Sequence, residues 1–335
     1  MGMKITVIGA GAIGGLVAGY LKFRGEDVSL VGRSDAVSAI KKHGLHISGT
    51  RGNITVDIEA SHSLSQAPEL AILTVKTQDC DKAIKENLKL LKSSLILTTQ
   101  NGIQADAIVA KLIPNEQIIS SIIMFGSTYL EPGKIVHNFE GPWVVGMYNG
   151  QPHEKLTSVR ILLSKSFPIV VSDTIHAMKY LKIFINANNC IPALLGMSMQ
   201  EAFSDVGISR ISIAIWREAL EVVKKAGIVL APLPDFPVER ITKLTSMDLK
   251  DATKILSGVM TNLSLEPLYG SILQSIKRNR PSEINYINGE FVSLARRYKG
   301  KAPLNEKLVE MVHQVEKTGR FFTKYQLLSE IRGLV

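Results

Sequence analysis

The sequence predicts an α/β domain with a mainly parallel sheet, followed by an all-helical domain. Residues 3 to about 170 alternate short β-branched runs with helical patterns, which is typical of βαβ units. From about residue 174 onward, apolar residues recur at helical spacing in long segments. A glycine-rich motif follows the first predicted strand and opens the first predicted helix.

Length and composition are those of a globular protein in water. A chain of 335 residues is long enough for about two domains, which we place at 1–172 and 173–335. No run approaches the roughly 18 apolar residues of a membrane span, and no secretion signal is evident. The net charge of +9 comes from basic residues scattered along helices, which disfavours nucleic acid as a partner. Cys80 and Cys190 match no disulfide or metal spacing, so we expect a cytoplasmic protein without a metal.

The predicted elements follow the change in periodicity. The first domain has predicted strands at KITVIG, DVSLVG, GLHISGT, NITVDI, LAILTVK, SLILTTQ and IISSIIMFG, and predicted helices at 13–24, 80–91 and 104–112. An EPGK turn inside TYLEPGKIVHNFEGPWVVGMY predicts a hairpin at the edge of the sheet. The second domain has helical segments at 175–196, 200–226, 234–257, 282–298 and 303–318.

The GAGAIG motif predicts a Rossmann-type dinucleotide site. Gly9 permits a tight turn, Gly11 lets the backbone approach a pyrophosphate, and Gly14 lets the helix pack closely on the strand. The helix N-terminus then faces the phosphates. An ordinary glycine-rich turn is the alternative. The predicted cofactor contacts in this loop are Gly9, Ala10, Gly11, Ala12, Ile13 and Gly14.

The end of the second strand favours NADP(H) over NAD(H). An NAD site usually has an acidic residue here, about 20 positions after the glycine motif. This chain has Arg33 followed by Ser34, and a guanidinium can pair with a 2′-phosphate. Asp35 is the alternative, because a small change of turn would bring its carboxylate to the ribose.

Two polar residues follow later strands at the edge where open α/β sheets bind ligands. Lys76 in TVKTQD can face the cofactor phosphates, or it can be a solvated loop residue. Asn101 in TQNG can offer an amide beside the nicotinamide, or it can be a simple turn residue.

Five motifs, in order and over nearly the whole chain, resemble the ketopantoate reductase (2-dehydropantoate 2-reductase) family. They are KITVIGAGAIGG, VKTQD, TQNG, MKYLKIFIN and SILQSIKRNRPSEINYINGEFV. The resemblance implies a Rossmann domain and an all-helical domain with the active site in the cleft between them. It also implies NADPH-dependent reduction of ketopantoate, a 2-keto acid, to pantoate.

The resemblance also implies roles for individual residues. Lys182 matches the catalytic lysine, with Asn186 one turn later, and Asn101 matches the asparagine near the nicotinamide and this lysine. Glu283 and Ser271 match the remaining residues of the substrate site, and Arg33 and Lys76 match cofactor-facing positions.

The sequence departs from the family pattern after this lysine. Where the common pattern has a second substrate-binding asparagine, the chain has Cys190. Asn188 and Asn189 resemble a variant with an NxNN run, and we take Asn189 as the substrate-binding amide with Asn188 as the alternative.

The residue chemistry agrees with keto acid reduction. On one continuous helix, Lys182, Asn186 and Asn189 lie at i, i+4 and i+7 and share a stripe. Burial among neutral amides lowers a lysine pKa toward the range useful for a general acid. Lys179 is the competing acid. Because the family resemblance places the catalytic lysine at Lys182, we expect Lys179 to be a solvated lysine at the helix start.

Each remaining candidate has a structural alternative. Glu283 can accept from a substrate hydroxyl or can be a first-turn acid favoured by the helix dipole. Ser271 can donate to the substrate carboxylate or cap its turn. The histidines His137, His153 and His176 lie at unhelpful positions for a general acid.

We therefore predict ketopantoate reduction. One alternative is the reduction of a different 2-keto acid. The other is nicotinamide sensing without turnover, and the presence of Lys182, Asn186 and Glu283 together argues against it. The long apolar helices suit either a homodimer or the core of the second domain.

Overall fold

The computed structural model describes residues 2–151, 153–263 and 266–335. The chain divides into two compact units, Met1–His176 and Ala177–Val335. The first unit is mixed α/β and the second is built from helices, which confirms the predicted fold class.

The first unit contains a large sheet, a small sheet and the helices that pack on them. Its strands are β1 (Ile5–Ile8), β2 (Val28–Val31), β3 (Leu45–Gly49), β4 (Ile54–Val56), β5 (Glu59–Ser61), β6 (Leu70–Leu73), β7 (Leu95–Thr98), β8 (Ile118–Ile123), β9 (Gly126–Glu131), β10 (Lys134–Phe139), β11 (Trp143–Met147) and β12 (Ile169–Val171). Its helices are α1 (Ala12–Phe23), α2 (Ser34–His43), α3 (Cys80–Leu91), α4 (Gln104–Val109) and α5 (Glu154–Ser164). Helices α2 and α5 are not among the helices predicted from the sequence.

The large sheet has the strand order β12-β11-β8-β7-β6-β1-β2-β5. The pairs from β5 through β8 are parallel, whereas β11 runs antiparallel to β8. Strands β1, β6 and β7 are buried along their whole length, as expected for parallel strands covered on both faces. The four strands β2, β1, β6 and β7 are therefore neighbours, and their carboxyl ends lie together at one edge.

The small sheet has the order β4-β3-β10-β9. The hairpin around EPGK forms as predicted, with β9 and β10 antiparallel and Gly133 at φ 78° in the turn. Its predicted place at the edge of the main sheet is wrong, because β10 pairs in parallel with β3 instead. The small sheet packs on α1, where a side chain on Gly15 would lie 2.8 Å from Ile135.

The predicted helix at 303–318 is confirmed with the same bounds, whereas the other predicted segments of the second unit correspond to shorter helices. The helices of this unit are α6 (Ile175–Ala187, which begins just before the unit boundary), α7 (Cys190–Leu195), α8 (Met199–Phe203), α9 (Val206–Lys225), α10 (Glu239–Ser246), α11 (Leu249–Thr261), α12 (Ser271–Lys277), α13 (Asn288–Arg297), α14 (Pro303–Thr318) and α15 (Lys324–Glu330).

Capping side chains divide the long predicted segments. Ser198 forms a capping box with Glu201 at the start of α8, and Asp205 accepts from two backbone N–H groups at the start of α9. Asp248 does the same for α11. These side chains satisfy the first N–H groups of a new helix. Ser198 lies at a boundary that the spacing already predicts, whereas Asp205 and Asp248 mark boundaries inside the predicted segments 200–226 and 234–257. Within the described ranges, no helix combines the length and apolar character that crossing a membrane requires.

Candidate functional site

The loop between β1 and α1, residues 9–14 (the glycine loop), has two glycines that no other residue can replace. Gly9 has φ +123°, and a Cβ on it would lie 2.7 Å from the backbone nitrogen of Val75. A Cβ on Gly14 would lie 1.8 Å from the carbonyl oxygen of Gly9. The Thr74 hydroxyl donates to that same oxygen at 2.7 Å. The loop is therefore held tightly against the end of β6.

Gly11 has a different surrounding. It is the N-cap of α1, makes no side-chain cap, and a Cβ built on it would meet nothing within 4 Å. Ala10, Ala12 and Ile13 beside it are partly exposed. Protein packing thus leaves open space at the helix N-terminus, and backbone N–H groups at such a position favour a phosphate. The glycine loop fits the pyrophosphate of a dinucleotide.

The end of β2 presents charged side chains to solvent. Arg33 is the N-cap of α2, and Asp35 lies in the first turn of that helix. Both are exposed, and an Arg33 Nη2 atom lies 3.9 Å from a carboxylate oxygen of Asp79. An ion pair this exposed contributes about 0–1 kcal/mol, so Arg33 can turn toward a ligand at little cost. Asp35 stabilises the N-terminus of α2 through the helix dipole.

Lys76 and Asn101 lie on adjacent loops at the ends of β6 and β7. We call residues 74–79 the β6 loop and residues 99–103 the β7 loop. Lys76 is partly buried at the start of a 3₁₀ turn, Thr77–Asp79. The Thr77 hydroxyl donates to the carbonyl oxygen of Asn101 at 3.4 Å, which joins the two loops. The glycine loop, Lys76 and Asn101 therefore share one edge of the sheet.

In the second unit, helix α6 carries Lys182 and Asn186 one turn apart. Lys182 is partly buried, and burial lowers the pKa of its ammonium group to about 8. Asn186 is buried. Lys179 is only 2% exposed, so its interpretation as a solvated lysine at the helix start is wrong.

The predicted stripe of one lysine and two asparagines ends with Asn186. Helix α6 stops at Ala187, and Asn189 is the N-cap of α7 rather than a third residue on the same helix. The junction is tightened by bonds of the 3₁₀ type, from the N–H of Asn189 to the carbonyl of Asn186 and from Ile191 to Asn188. Such bonds turn the chain further per residue than an α-helix does. Lys182, Asn186 and Asn189 therefore do not lie on one continuous helix, as the prediction assumed.

Cys190, which the family resemblance aligns with the second asparagine, is fully buried. Asn288 donates to the Cys190 sulfur at 3.7 Å, to the carbonyl of Ala187 at 3.1 Å and to Asn305 at 3.0 Å. Burial raises the pKa of the Cys190 thiol to about 12. Cys190 is a packed neutral thiol. Asn288 fixes the junction between α6 and α7, and it is not among the predicted site residues. Asn288 lies in the INYING motif, which is part of the family resemblance, and this is the sequence signal that could have identified it.

The two amides after α6 have different environments. Asn188 is buried, and its side-chain oxygen has no hydrogen-bond partner. Asn189 packs against Gly270, where an added Cβ would lie 3.3 Å from the Asn189 side chain. Ser271 follows immediately as the exposed first residue of α12. Asn189 and Ser271 are therefore brought together, and Ser271 is not the cap of its helix, because Gly270 is.

Glu283 does not lie in a helix, in contrast to the prediction of a helix from 282. It precedes a 3₁₀ turn, Ile284–Tyr286, and α13 begins only at Asn288. The segment is held by α14, where a Glu316 carboxylate oxygen accepts from the backbone N–H of Ser282 at 2.7 Å. Burial raises the pKa of Glu316, but hydrogen bonds from Ser282 and His313 outweigh it and leave the pKa below its usual value.

The histidines have structural positions that agree with the expectation against a catalytic histidine. His137 is fully buried, its ring bonds to the Tyr20 hydroxyl at 3.0 Å, and burial lowers its pKa. His153 caps α5 by accepting from the N–H of Lys155. The ring of His176 contacts the carbonyl oxygen of Tyr148 at 2.9 Å.

Comparison with known families identifies the chain. A family model described as "Ketopantoate reductase PanE/ApbA" matches residues 5–150, and one described as "Ketopantoate reductase PanE/ApbA C terminal" matches residues 174–316. The chain belongs to the ketopantoate reductase family. As a ketopantoate reductase family member, it is an oxidoreductase of a group that acts on 2-keto acids.

Two relatives named 2-dehydropantoate 2-reductase are similar to this chain over nearly its full length. The 2-dehydropantoate 2-reductase of Pyrococcus horikoshii is 30% identical over 320 residues, covering 95% of this chain and 99% of its own. That of Pyrococcus abyssi is 30% identical over 306 residues, covering 90% of this chain and 94% of its own.

Solved structures share the fold of this ketopantoate reductase family member. The ternary structure of D-mandelate dehydrogenase with NADH and anilino(oxo)acetate has a TM-score of 0.82 at 24% identity, covering 94% of this chain and 99% of that one. A PanE/ApbA family ketopantoate reductase from Ralstonia eutropha has a TM-score of 0.79 at 23% identity, with the same coverage. At these identities the likeness concerns the fold alone.

Proposed function

We propose that this protein reduces ketopantoate to pantoate with NADPH, using Lys182 as the general acid. The observation that carries the proposal is the burial of the Lys182 ammonium group, one turn from Asn186 on α6, in a chain of this family. This burial lowers the pKa of Lys182 to about 8. A lysine of ordinary pKa holds its proton too tightly near neutral pH to release it readily. Lys182 is protonated at neutral pH and yet acidic enough to donate.

The chemistry needs a proton donor at the ketone oxygen and groups that hold the rest of the substrate. A bound nicotinamide dinucleotide supplies the reducing equivalent. The Lys182 ammonium stabilises the charge that develops on the ketone oxygen and then protonates it. Asn186 orients the ammonium without neutralising it, since an amide carries no charge. Asn189 and Ser271 hold the carboxylate, and Glu283 accepts from the substrate hydroxyl.

The first unit is assigned to the cofactor. Gly11 leaves open space at the N-terminus of α1, and Arg33 stands exposed where an NAD site usually has an acid. A nicotinamide dinucleotide is also the ligand of the D-mandelate dehydrogenase structure, which holds NADH. We assign Arg33 to the 2′-phosphate of NADPH, with Lys76 and Asn101 toward the rest of the cofactor.

We expect Arg33→Ala to weaken NADPH binding by about 10- to 100-fold while leaving NADH binding nearly unchanged. A charge-assisted hydrogen bond is worth about 1.5–3 kcal/mol, and only NADPH has the phosphate that receives it. Dissociation constants measured by calorimetry for both dinucleotides test this. Arg24→Ala, which removes another exposed arginine of the same unit, should change neither. Equal losses for the two dinucleotides would contradict the 2′-phosphate role.

Cys190 supports a second candidate, the reduction of a different 2-keto acid. At the position of the family's second asparagine this chain has Cys190, so no amide is offered to the substrate there. The thiol is fully buried and accepts a hydrogen bond from Asn288. A substrate without the hydroxymethyl group of ketopantoate would need fewer polar contacts.

Side-by-side turnover decides between the candidates. We expect NADPH oxidation to be much faster with ketopantoate than with 2-oxoisovalerate, pyruvate or phenylglyoxylate. A site that pairs a substrate hydroxyl rejects analogues lacking it, because the buried acceptor is left unpaired. Glu283→Gln should narrow the preference for ketopantoate over 2-oxoisovalerate. Turnover of another keto acid but not of ketopantoate would show that ketopantoate is the wrong substrate assignment. Dinucleotide binding without turnover of any keto acid would indicate a sensor.

A further inference from the structure

The side chain of Gln100 bridges the ends of two parallel strands. It follows β7 and is only 6% exposed. Its Nε2 atom donates to the carbonyl oxygen of Leu73 at 2.8 Å and to that of Val75 at 2.8 Å. Its Oε1 atom accepts from the backbone N–H of Thr99 at 3.1 Å. One amide group therefore ties the β6 loop to the β7 loop.

This arrangement extends the connection between the two strands beyond the end of their backbone ladder. The pairing of β6 with β7 ends at Leu73 opposite Thr98. The Leu73 carbonyl still accepts from the backbone N–H of Thr99 at 3.3 Å and from the Thr99 hydroxyl at 2.9 Å. Beyond it the strands separate, and the carbonyl of Val75 needs a donor from elsewhere. The Gln100 amide donates to both carbonyls and uses its oxygen on its own strand. A glutamine has two donors and one acceptor group, which is what this position requires.

The bridge fixes two residues that the proposed function needs. Lys76 directly follows Val75, one of the two carbonyls that Gln100 holds, and Asn101 directly follows Gln100 itself. The bond from Thr77 to the carbonyl of Asn101, at 3.4 Å, is a second link between the same loops. A change in the separation of the loops would therefore move Lys76 and Asn101 relative to each other.

We propose that Gln100 is a positioning residue for the dinucleotide site, which sets the distance between Lys76 on one strand end and Asn101 on the next. The proposal rests on the proposed function, since it takes Lys76 and Asn101 as cofactor-facing groups. Gln100 acts through its two backbone carbonyl partners, and it does not itself touch the reacting atoms.

The test uses Gln100→Met, which keeps the length and loses both donors, and Gln100→Asn, which keeps the amide but is one methylene shorter. We expect Gln100→Met to lower kcat by about 10- to 100-fold, because displacements near 1 Å at a reacting centre cost this much. The dissociation constant of the dinucleotide should rise as well, and Gln100→Asn should lie between wild type and Gln100→Met. Gln117→Met is the control, because Gln117 bonds one backbone carbonyl, that of Lys92, outside the site.

A double-mutant cycle separates positioning from general stability. In an Asn101→Ala background, the loss of kcat from Gln100→Met should shrink to about 2-fold or less, because coupled residues are not additive. Full additivity, or wild-type kcat and affinity in a folded Gln100→Met or Gln100→Asn protein, would overturn the proposal. Failure of the wild-type protein to bind any nicotinamide dinucleotide would instead reject the proposed function.

Discussion

Lys182→Met is expected to lower kcat for keto acid reduction by about 100- to 10,000-fold, the usual contribution of a positioned general acid. Methionine keeps the length and apolar stem of lysine but cannot donate a proton. The affinity for the dinucleotide should stay close to that of the wild type, because the glycine loop and Arg33 are unchanged. Steady-state rates and calorimetric binding on the same protein measure both quantities.

Lys179→Met is the matched control, because it removes the other lysine of the same helix. Because Lys179 is buried, its loss should mainly affect stability, which a lower melting temperature would show. The effect on kcat should be small by comparison with that of Lys182→Met. A larger loss of kcat from Lys179→Met than from Lys182→Met would transfer the acid role to Lys179. Full activity of Lys182→Met would reject the mechanism.

The pH dependence of kcat gives the Lys182 prediction a second signature. Burial lowers the pKa of Lys182 to about 8, so the residue is mostly protonated below that pH and mostly neutral above it. A general acid works only in its protonated form, so kcat should be level near neutral pH and should fall as the pH rises through about 8. A rate that stays level to pH 10 would be inconsistent with this acid.

The sequence predicted the first unit well where the signal is local. Runs such as ITVI and LAIL are buried on both faces of a parallel sheet, and GAGAIG is constrained within its own turn. The hairpin at EPGK was predicted correctly because its turn signal is also local. The sheet it joins was not predicted, because β10 pairs with β3, a strand from a distant part of the sequence. Strand alternation carries no information about such a partner.

The second unit shows a different limit. Apolar residues continue at helical spacing through the junction of α6 and α7, so the pattern predicts one helix where the structure has two. At Asn188 and Asn189 the backbone hydrogen bonds change from the α-helical to the 3₁₀ type. Asn288, from a later segment, stabilises this junction by donating to the carbonyl of Ala187. Burial of Lys179 and the bridge made by Gln100 likewise depend on tertiary contacts. The sequence shows which residue types are available for a site, but it does not show how their side chains are arranged relative to one another.

Gly14→Ala is expected to destabilise the first unit by at least about 3 kcal/mol, the upper range for overpacking a rigid site. The added Cβ would lie 1.8 Å from the carbonyl oxygen of Gly9 and 2.4 Å from the Thr74 hydroxyl. A backbone atom cannot give way as the end of a flexible side chain can, so the whole turn must shift. Thermal unfolding should show a fall of roughly 6–12 °C, given about 2–4 °C per kcal/mol for a unit of this size.

Gly11→Ala should give the opposite pattern, and the contrast between the two variants tests what each glycine is for. Gly11 has φ −89°, which alanine adopts without strain, and its added Cβ would meet no protein atom within 4 Å. Stability should therefore be unchanged or slightly higher, since alanine lowers the entropy of the unfolded chain. The same methyl group would stand at the helix N-terminus that we assign to the pyrophosphate, so dinucleotide affinity should fall by about 10-fold or more. If Gly11→Ala binds the dinucleotide as wild type does, the open space beside Gly11 does not hold the cofactor, whereas the steric requirement at Gly14 stands independently of any ligand.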